Sequence, residues 1–115
     1  MAIAGPFQID IGFTFQQSFV YKSGDDPIDL TGYTAEMHIR AGIDDVTPLV
    51  ELTSANGRII LGGTAGTIEL LIPHADTAPL SPTKKAGFDL KLTSPTGIAA
   101  LFVEGYIEIK KRNTR

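Results

Sequence analysis

The sequence predicts an all-β fold, a two-sheet antiparallel sandwich with seven to eight strands. Apolar side chains recur at every second position in several segments, and turn signals separate these segments at roughly 8–12-residue spacing. No long amphipathic helix interrupts the pattern. Such a run of short strands is typical of an immunoglobulin-like sandwich, and a small barrel is the main alternative.

Three segments alternate most regularly. In residues 34–40 the apolar positions face one way and Glu36, His38 and Arg40 face the other. Residues 88–92 and 106–110 repeat this pattern. A strand with one face on a core and the other in water requires this period of two. These segments therefore define the predicted sheets.

Two further interpretations concern neighbouring segments. Residues 9–15 and 18–22 are rich in aromatic and β-branched side chains, and we expect one long strand with a bulge near residues 16–17. Residues 49–52 and 58–61 flank an Asn-Gly pair, which tolerates positive φ. That pair predicts a β-hairpin between the two flanking segments.

Turns bound the remaining strands. The glycine-rich residues 62–66 lead into a strand over 67–72, and residues 94–97 lead into a strand over 98–103. A short helical turn is expected near residues 74–79, because the prolines that follow prevent a longer helix. This turn would carry the chain from one sheet to the other.

Length and composition indicate one domain over residues 1–115, with residues 1–6 and 111–115 expected to be flexible tails. The net charge of −3 argues against non-specific nucleic-acid binding, which needs a basic surface. There is no cysteine, and we expect no secretory signal and no membrane-spanning segment. The composition fits a reducing compartment.

We expect no catalytic residue. Nucleophilic catalysis needs a base beside a hydroxyl or thiol, and the only histidines are His38 and His74. His38 is expected on the solvated face of a strand and His74 in a loop or capping position. No serine lies in a Gly-x-Ser-x-Gly elbow.

We likewise expect no metal and no cofactor. The adjacent carboxylates 25–26 and 44–45 are interpreted as solvated turns, with a calcium site as the less favoured alternative. The glycine run 62–66 lacks the lysine and the following helix of a phosphate-binding loop. It is therefore interpreted as a turn.

The last six residues carry four positive charges. These come from Lys110, Lys111, Arg112 and Arg115, and they leave the rest of the chain near −7. One interpretation is a frayed, solvated end. The other is an electrostatic tether to an acidic neighbour, screened beyond about 8 Å at physiological salt.

The order of several motifs resembles that of small tailed-bacteriophage proteins. The first motif is Asp29-Leu30-Thr31-Gly32-Tyr33, which an alternating strand ending in Arg40 follows. The others are residues 66–70 with 75–78, residues 88–94 with Gly97, residues 103–105 and residues 113–115. The chain is similar, from about Phe15 onwards, to the amino-terminal domain of baseplate upper proteins and to neck and tail-collar proteins.

The resemblance implies an immunoglobulin-like virion module, assembled in the host cytoplasm. We therefore expect a non-enzymatic structural component of a baseplate, neck or tail collar, with other virion proteins as partners and a homo-oligomeric state. Unpaired edge strands offer a route to assembly. The alternative is a carbohydrate or host-receptor binding module, for which Tyr21 and Tyr106 are the best aromatic candidates. We expect no nucleic-acid or membrane partner.

Overall fold

A computed structural model describes the backbone of residues 2–114 and the side chains of residues 7–114. The strands are β1 (Ala2–Asp10), β2 (Phe15–Val20), β3 (Lys22–Ser23), β4 (Asp26–Pro27), β5 (Thr34–Arg40), β6 (Val50–Thr53), β7 (Ile59–Leu61), β8 (Thr67–Ile72), β9 (Thr83–Thr93) and β10 (Ala99–Lys110). One α-helix, α1 (His74–Thr77), joins β8 to β9. The predicted helical turn near residues 74–79 is thus confirmed.

Eight of the strands form two separate sheets. The larger sheet has the order β1-β10-β9-β5-β6, and the smaller has the order β2-β8-β7. All pairs within them are antiparallel except β1 with β10, which run parallel. The short strands β3 and β4 form a separate hairpin. The architecture confirms the predicted sandwich.

The core lies between the two sheets. Along β5 and β9 buried and solvent-facing side chains alternate, as the sequence predicted, and the second half of β10 repeats this. The largest fully buried side chains come from both sheets and from the segment before β5. They are Ile9, Leu30, Met37, Ile39, Leu52, Ile59, Ile68, Leu70, Ile72, Leu90, Ile107 and Ile109.

The expectation of one long strand from residue 9 to residue 22 is wrong. β1 ends in the five-stranded sheet at Asp10 and β2 begins in the three-stranded sheet at Phe15. Gly12 has a φ of 88°, which lets the chain reverse between them. No bulge occurs at residues 16–17, because β2 pairs with β8 in unbroken register.

The expected hairpin around the Asn-Gly pair is also wrong. The turn is present, but β6 pairs with β5 and β7 pairs with β8, so the turn connects the two sheets. Asn56 holds it: its Oδ1 accepts hydrogen bonds from the backbone N–H groups of Thr53 and Arg58, both at 3.0 Å. A turn signal fixes a chain reversal, whereas long-range pairing decides which strands become neighbours.

The glycine-rich turn before β8 has the predicted position. Residues 63–65 form a 3₁₀ helix, and Gly66 ends it with a φ of 69°. Gly66 is buried against the backbone carbonyls of Tyr21 and Ile28. This turn therefore anchors the segment between β2 and β5 onto the smaller sheet.

The chain ends were expected to be flexible over residues 1–6 and 111–115. The backbone of residues 2–10 belongs to β1, and β1 runs beside residues 103–110 of β10. Residues 1 and 115 lie outside the described residues. Strand pairing is not a measure of mobility, so the flexibility of both ends stays a prediction.

Candidate functional site

The solvent-facing side of the five-stranded sheet carries most of the polar side chains on regular strands. Alternation sends Ala35, Met37 and Ile39 of β5 into the core, so the intervening residues face outward. The register then aligns outward side chains across strands. One row runs Arg40, Gly87, Tyr106, and the next runs His38, Asp89, Glu104.

A groove of about 850 Å³ lies along these rows. Its floor is open at Gly87, where an added Cβ would meet no atom within 4 Å. Tyr106 is 52% exposed on one wall, and the Lys85 ammonium lies 4.3 Å from its ring centroid. His38 and Arg40 belong to β5 on the other side. We call this feature the Gly87 groove.

His38 is oriented by its neighbours on β5. The guanidinium of Arg40 places Nη2 3.0 Å from His38 Nδ1, and because Arg is only a donor, Nδ1 is the acceptor. The hydrogen of the neutral ring is therefore on Nε2. Nε2 is buried, lies 3.7 Å from a carboxylate oxygen of Glu36, and has no hydrogen-bond partner among the described residues.

The loop of residues 41–49, called the 41–49 loop below, borders the Gly87 groove. It presents Ile43 and Val46, which are 92% and 93% exposed. The first of these side chains also lines the groove. Isoleucine and valine are among the residue types that folding most often buries.

Hydrogen bonds fix the shape of the 41–49 loop. Arg40 Nη1 donates to the carbonyl oxygens of Asp45 at 2.7 Å and Val46 at 3.0 Å. The Asp45 carboxylate accepts from the N–H of Gly42 at 3.0 Å, and the Asp45 N–H donates to the Gly42 carbonyl at 3.0 Å. These hydrogen bonds therefore hold the backbone of the 41–49 loop in one shape.

A second, smaller groove of about 290 Å³ lies at the other end of the larger sheet. Its lining includes Tyr21, Tyr33, Ile98, Ala100 and Phe102, and no charged residue. The rings of Tyr21 and Phe102 pack with centroids 5.0 Å apart. We call this feature the aromatic groove.

The two histidines weighed for catalysis lie on different elements. His38 belongs to β5 in the larger sheet, whereas His74 is exposed at the start of α1, after a strand of the smaller sheet. Neither imidazole bonds a serine or threonine hydroxyl within the described part of the chain. The absence of catalytic residues stays a prediction.

The carboxylate pairs also lie apart from one another. Asp25 and Asp26 are exposed in the β3–β4 hairpin, and Asp44 and Asp45 belong to the 41–49 loop. Residues 2–114 contain no cluster of three or more histidine and acidic side chains placed to hold a metal ion. They also contain no helix with the length and apolar character needed to cross a membrane.

One member of the basic tail has a specific partner. Arg112 Nε donates to the Asp10 carboxylate at 2.8 Å, and Gln8 donates to the same oxygen at 2.7 Å. Partial burial alone would raise the pKa of Asp10. The two hydrogen bonds and the charges of Arg112 and Lys110 outweigh that effect and lower the pKa below its usual value. Arg115 lies outside the described residues.

Sequence reasoning did not find Gly87, Ile43 or Val46. Alternation marks an outward position, but it does not show that a glycine there opens a groove between two strands. The apolar loop residues carry no periodic signal, because they belong to no strand. A contiguous Ile-Asp-Asp-Val in a predicted loop was the only available indication.

The strand order defines the class of protein as an immunoglobulin-like β-sandwich. In one type of immunoglobulin domain, one sheet has three central strands and an additional strand next to the third of them. The second sheet packs face to face against this sheet. Here β10-β9-β5 form that core and β6 is the added strand, while β2-β8-β7 form the second sheet.

Comparisons with known proteins yield no family. No family model matches the chain, and no curated protein matches it. Among solved structures it is similar to Drosophila OTK, extracellular domains 3-5, with a TM-score of 0.42 and 15% sequence identity. That alignment covers 96% of this chain, which spans about a third (33%) of the length of the other.

Proposed function

We propose that the chain is a non-enzymatic structural component of a tailed-phage virion, part of a baseplate, neck or tail collar, that attaches through protein–protein contacts. The observation that carries the proposal is the 41–49 loop with its exposed Ile43 and Val46. The motif order that resembles tailed-phage proteins supplies the biological setting. An exposed apolar patch with a polar border is typical of a protein-binding surface.

The energetics of such a contact favour the loop as its centre. Burying one isoleucine or valine side chain contributes about 1.5–3 kcal/mol. A loop already held by Arg40 and Asp45 loses little conformational entropy on binding, so more of that energy remains as affinity. Ile43 and Val46 are therefore the expected anchors.

The Gly87 groove supplies the polar border of the same surface. Charges of both signs surround its floor, with Arg40 and Lys85 opposed by Asp89 and Glu104. Protein interfaces place an apolar anchor at the centre and polar groups at the rim. The rim charges set orientation and the rate of association, and the loop supplies affinity.

Incorporation into particles tests the proposal. We expect the double variant Ile43→Ser with Val46→Ser to be lost from purified virions, while Ile60→Ser is retained. Ile60 is an exposed apolar residue on the smaller sheet, and it controls for loss of apolar surface in general. Electron microscopy of particles without this protein locates its site, and full incorporation of the double variant would contradict the proposal.

The homo-oligomeric state is part of the same proposal. A virion ring forms when one surface of a subunit contacts a different surface of the next and the rotation closes. We expect light scattering to show a trimer or larger ring, or a monomer that assembles only with its tail partner. A monomer in the presence of purified tail proteins would count against this.

A carbohydrate-binding module is the second candidate, because Tyr106 stands at the wall of an open groove. Sugar recognition uses a free aromatic face. The Lys85 ammonium occupies one face of Tyr106, and Phe102 packs against Tyr21. A glycan array is the test: micromolar binding that Tyr106→Ala abolishes would favour this candidate over the first.

A further inference from the structure

We propose that the first part of β10 accepts an extended strand from a partner polypeptide, with an apolar side chain of that strand in the aromatic groove. The inference rests on the proposed function as a protein-binding module and names a second contact surface at the opposite end of the sheet. Two observations carry it: a stretch of unpaired strand edge, and an uncharged groove beside that edge.

The unpaired edge follows from the register of β10. β1 runs parallel to it, but their pairing begins only with Ala2 opposite Val103. Residues 99–102 have no strand on that side among the described residues, and Ala99, Ala100 and Leu101 are exposed. On the other side β9 pairs with the same stretch. Within residues 2–114, one side of this segment is therefore open.

The geometry identifies which groups are free. Ser94 N–H donates to the Ile98 carbonyl at 2.9 Å, so these two residues are a hydrogen-bonded pair of the ladder. Hydrogen-bonded and non-hydrogen-bonded pairs alternate in antiparallel strands. The N–H and C=O groups of Ala99 and Leu101 consequently point away from β9, toward the open side. Among the described residues, no strand pairs with these four backbone groups.

The other edge strands of the two sheets have features that hinder pairing with a strand of another chain. The edge strand β6 has its Glu51 carbonyl occupied by two side-chain donors, Asn56 Nδ2 at 3.2 Å and Arg58 Nη1 at 3.1 Å. Such donors remove an acceptor that an incoming strand would need. β7 is only three residues long, and short edge strands pair poorly with other chains.

The remaining edge strands, β1 and β2, also have features that hinder strand pairing. Pro6 within β1 has no backbone N–H to offer. On β2 the Gln17 side chain donates to the Ser18 carbonyl at 3.4 Å. The open stretch of β10 carries neither a proline nor a charged residue, and its side chains are two alanines, a leucine and a phenylalanine.

The aromatic groove determines which strand would fit. Ala100 lies opposite Leu92, whose side chain is buried, so Ala100 faces inward and lines the groove with Tyr21 and Phe102. An incoming strand places alternate side chains on this inner side. Seven of the nine lining residues are aliphatic or aromatic, Ser94 and Thr96 are the other two, and none is charged, so we expect an apolar occupant. Main-chain bonds supply affinity and the groove supplies selectivity.

A peptide titration tests the proposal on the full chain. The probe is the capped peptide Lys-Val-Thr-Val-Thr-Lys, and its control replaces both valines by aspartate. With the probe at ten times its dissociation constant, we expect amide hydrogen exchange at Ala99 and Leu101 to slow about tenfold. The aspartate peptide leaves exchange unchanged. Equal slowing by both peptides, or none by the probe, overturns the proposal.

Variants separate the edge from the rest of the sheet. Ala99→Pro removes an outward N–H at the first residue of the strand, where proline is tolerated. We expect it to abolish probe binding, while Ala99→Val binds like the parent protein. Ala100→Asp puts a charge into the groove and weakens probe binding at least tenfold. Unchanged binding by Ala99→Pro or Ala100→Asp overturns the proposal.

Self-association is a separate outcome. If the parent chain alone forms dimers in light scattering that Ala99→Pro abolishes, a second copy fills the edge and the partner-strand proposal is overturned. The Ile43→Ser, Val46→Ser variant distinguishes the two proposals. If this variant is lost from virions but the parent chain does not bind the probe peptide, the proposed function is supported. In that case only the proposal that β10 accepts a strand is rejected.

Discussion

Gly66 has a backbone conformation and surroundings that only glycine fits without strain. Its φ is 69°, and an added Cβ would lie 2.7 Å from the Tyr21 carbonyl and 2.9 Å from the Ile28 carbonyl. Gly57 also has a positive φ, 79°, but open space around it. We therefore expect Gly57→Ala to lower the free energy of unfolding by about 1–2 kcal/mol, the cost of placing alanine in this backbone conformation.

We expect Gly66→Ala to cost about 2–5 kcal/mol of unfolding free energy, since the steric conflict with two backbone carbonyls adds to the conformational cost. Urea unfolding of both variants measures the difference. Equal losses in Gly66→Ala and Gly57→Ala would show that the close contact does not contribute.

Asp10 links the two ends of the chain and makes stability depend on pH. Its folded pKa is lowered, so between the folded and unfolded values the unfolded chain binds more protons. The stabilisation is therefore present above the unfolded value of about 4 and is lost as the pH falls below it. Because the pair with Arg112 is partly exposed, we expect about 1 kcal/mol or less.

Urea unfolding at pH 7 and pH 3 measures this contribution. The Asp10→Asn variant should lose less stability than the parent chain between the two pH values. Asp29, whose pKa is lowered by hydrogen bonds from the Thr31 hydroxyl and N–H, contributes in the same direction and remains in both proteins. An unaltered pH dependence in Asp10→Asn would contradict the assignment.

At the scale of elements, Thr77 joins α1 to the turn between β1 and β2. Its fully buried hydroxyl accepts from Gly12 N–H at 3.1 Å and donates to the Phe13 carbonyl at 2.8 Å. We expect Thr77→Val to cost about 1–3 kcal/mol, because it removes the hydrogen-bond partner of two part-buried backbone groups, the Gly12 N–H and the Phe13 carbonyl. Thr77→Ser keeps the hydroxyl and should cost about 0.8 kcal/mol for one buried methyl. Thermal unfolding compares them, and equal costs would refute the hydrogen-bond explanation.

The same elements indicate how far the sequence predicts the fold. Strict alternation was sufficient for β5, for residues 88–92 of β9 and for residues 106–110 of β10, since burial on one face is a local consequence of period two. The separate strand expected over residues 98–103 is instead the first part of β10, which runs without interruption from Ala99 to Lys110. Strand partners were not predictable from local signals. The turn at Asn56 was predicted to close a hairpin because its residues favour a reversal of the chain. The strands on either side of it, β6 and β7, instead pair with strands of different sheets. Likewise, the reversal at Gly12 depends on a hydroxyl 65 residues away.

At the scale of the whole molecule, the candidate surfaces depend on register. Neither the Gly87 groove nor the open edge of β10 follows from composition, because each arises where strands from distant parts of the chain align or stop aligning. Polar and apolar periodicity predicted which way the side chains face in residues 34–40, 88–92 and 106–110. The pairing of strands determined which outward residues became neighbours.

The two surfaces lie at opposite ends of the larger sheet, and they should act independently. Arg40 is in line with Gly87 and Tyr106, whereas Thr34 is in line with Thr93 and Ala99. Six positions of β5 separate the two rows, about 20 Å at the usual rise of a strand. Changes at sites this far apart usually add within about 0.5 kcal/mol.

We therefore expect Ile43→Ser with Val46→Ser to change the dissociation constant of the valine peptide by no more than about twofold. Conversely, Ala99→Pro should leave the amide resonances of the 41–49 loop in place. Nuclear magnetic resonance titration of each variant measures both effects. A larger change in either direction would mean that the sheet transmits a rearrangement from one end to the other, and a partner bound at the loop would then alter strand capture at β10.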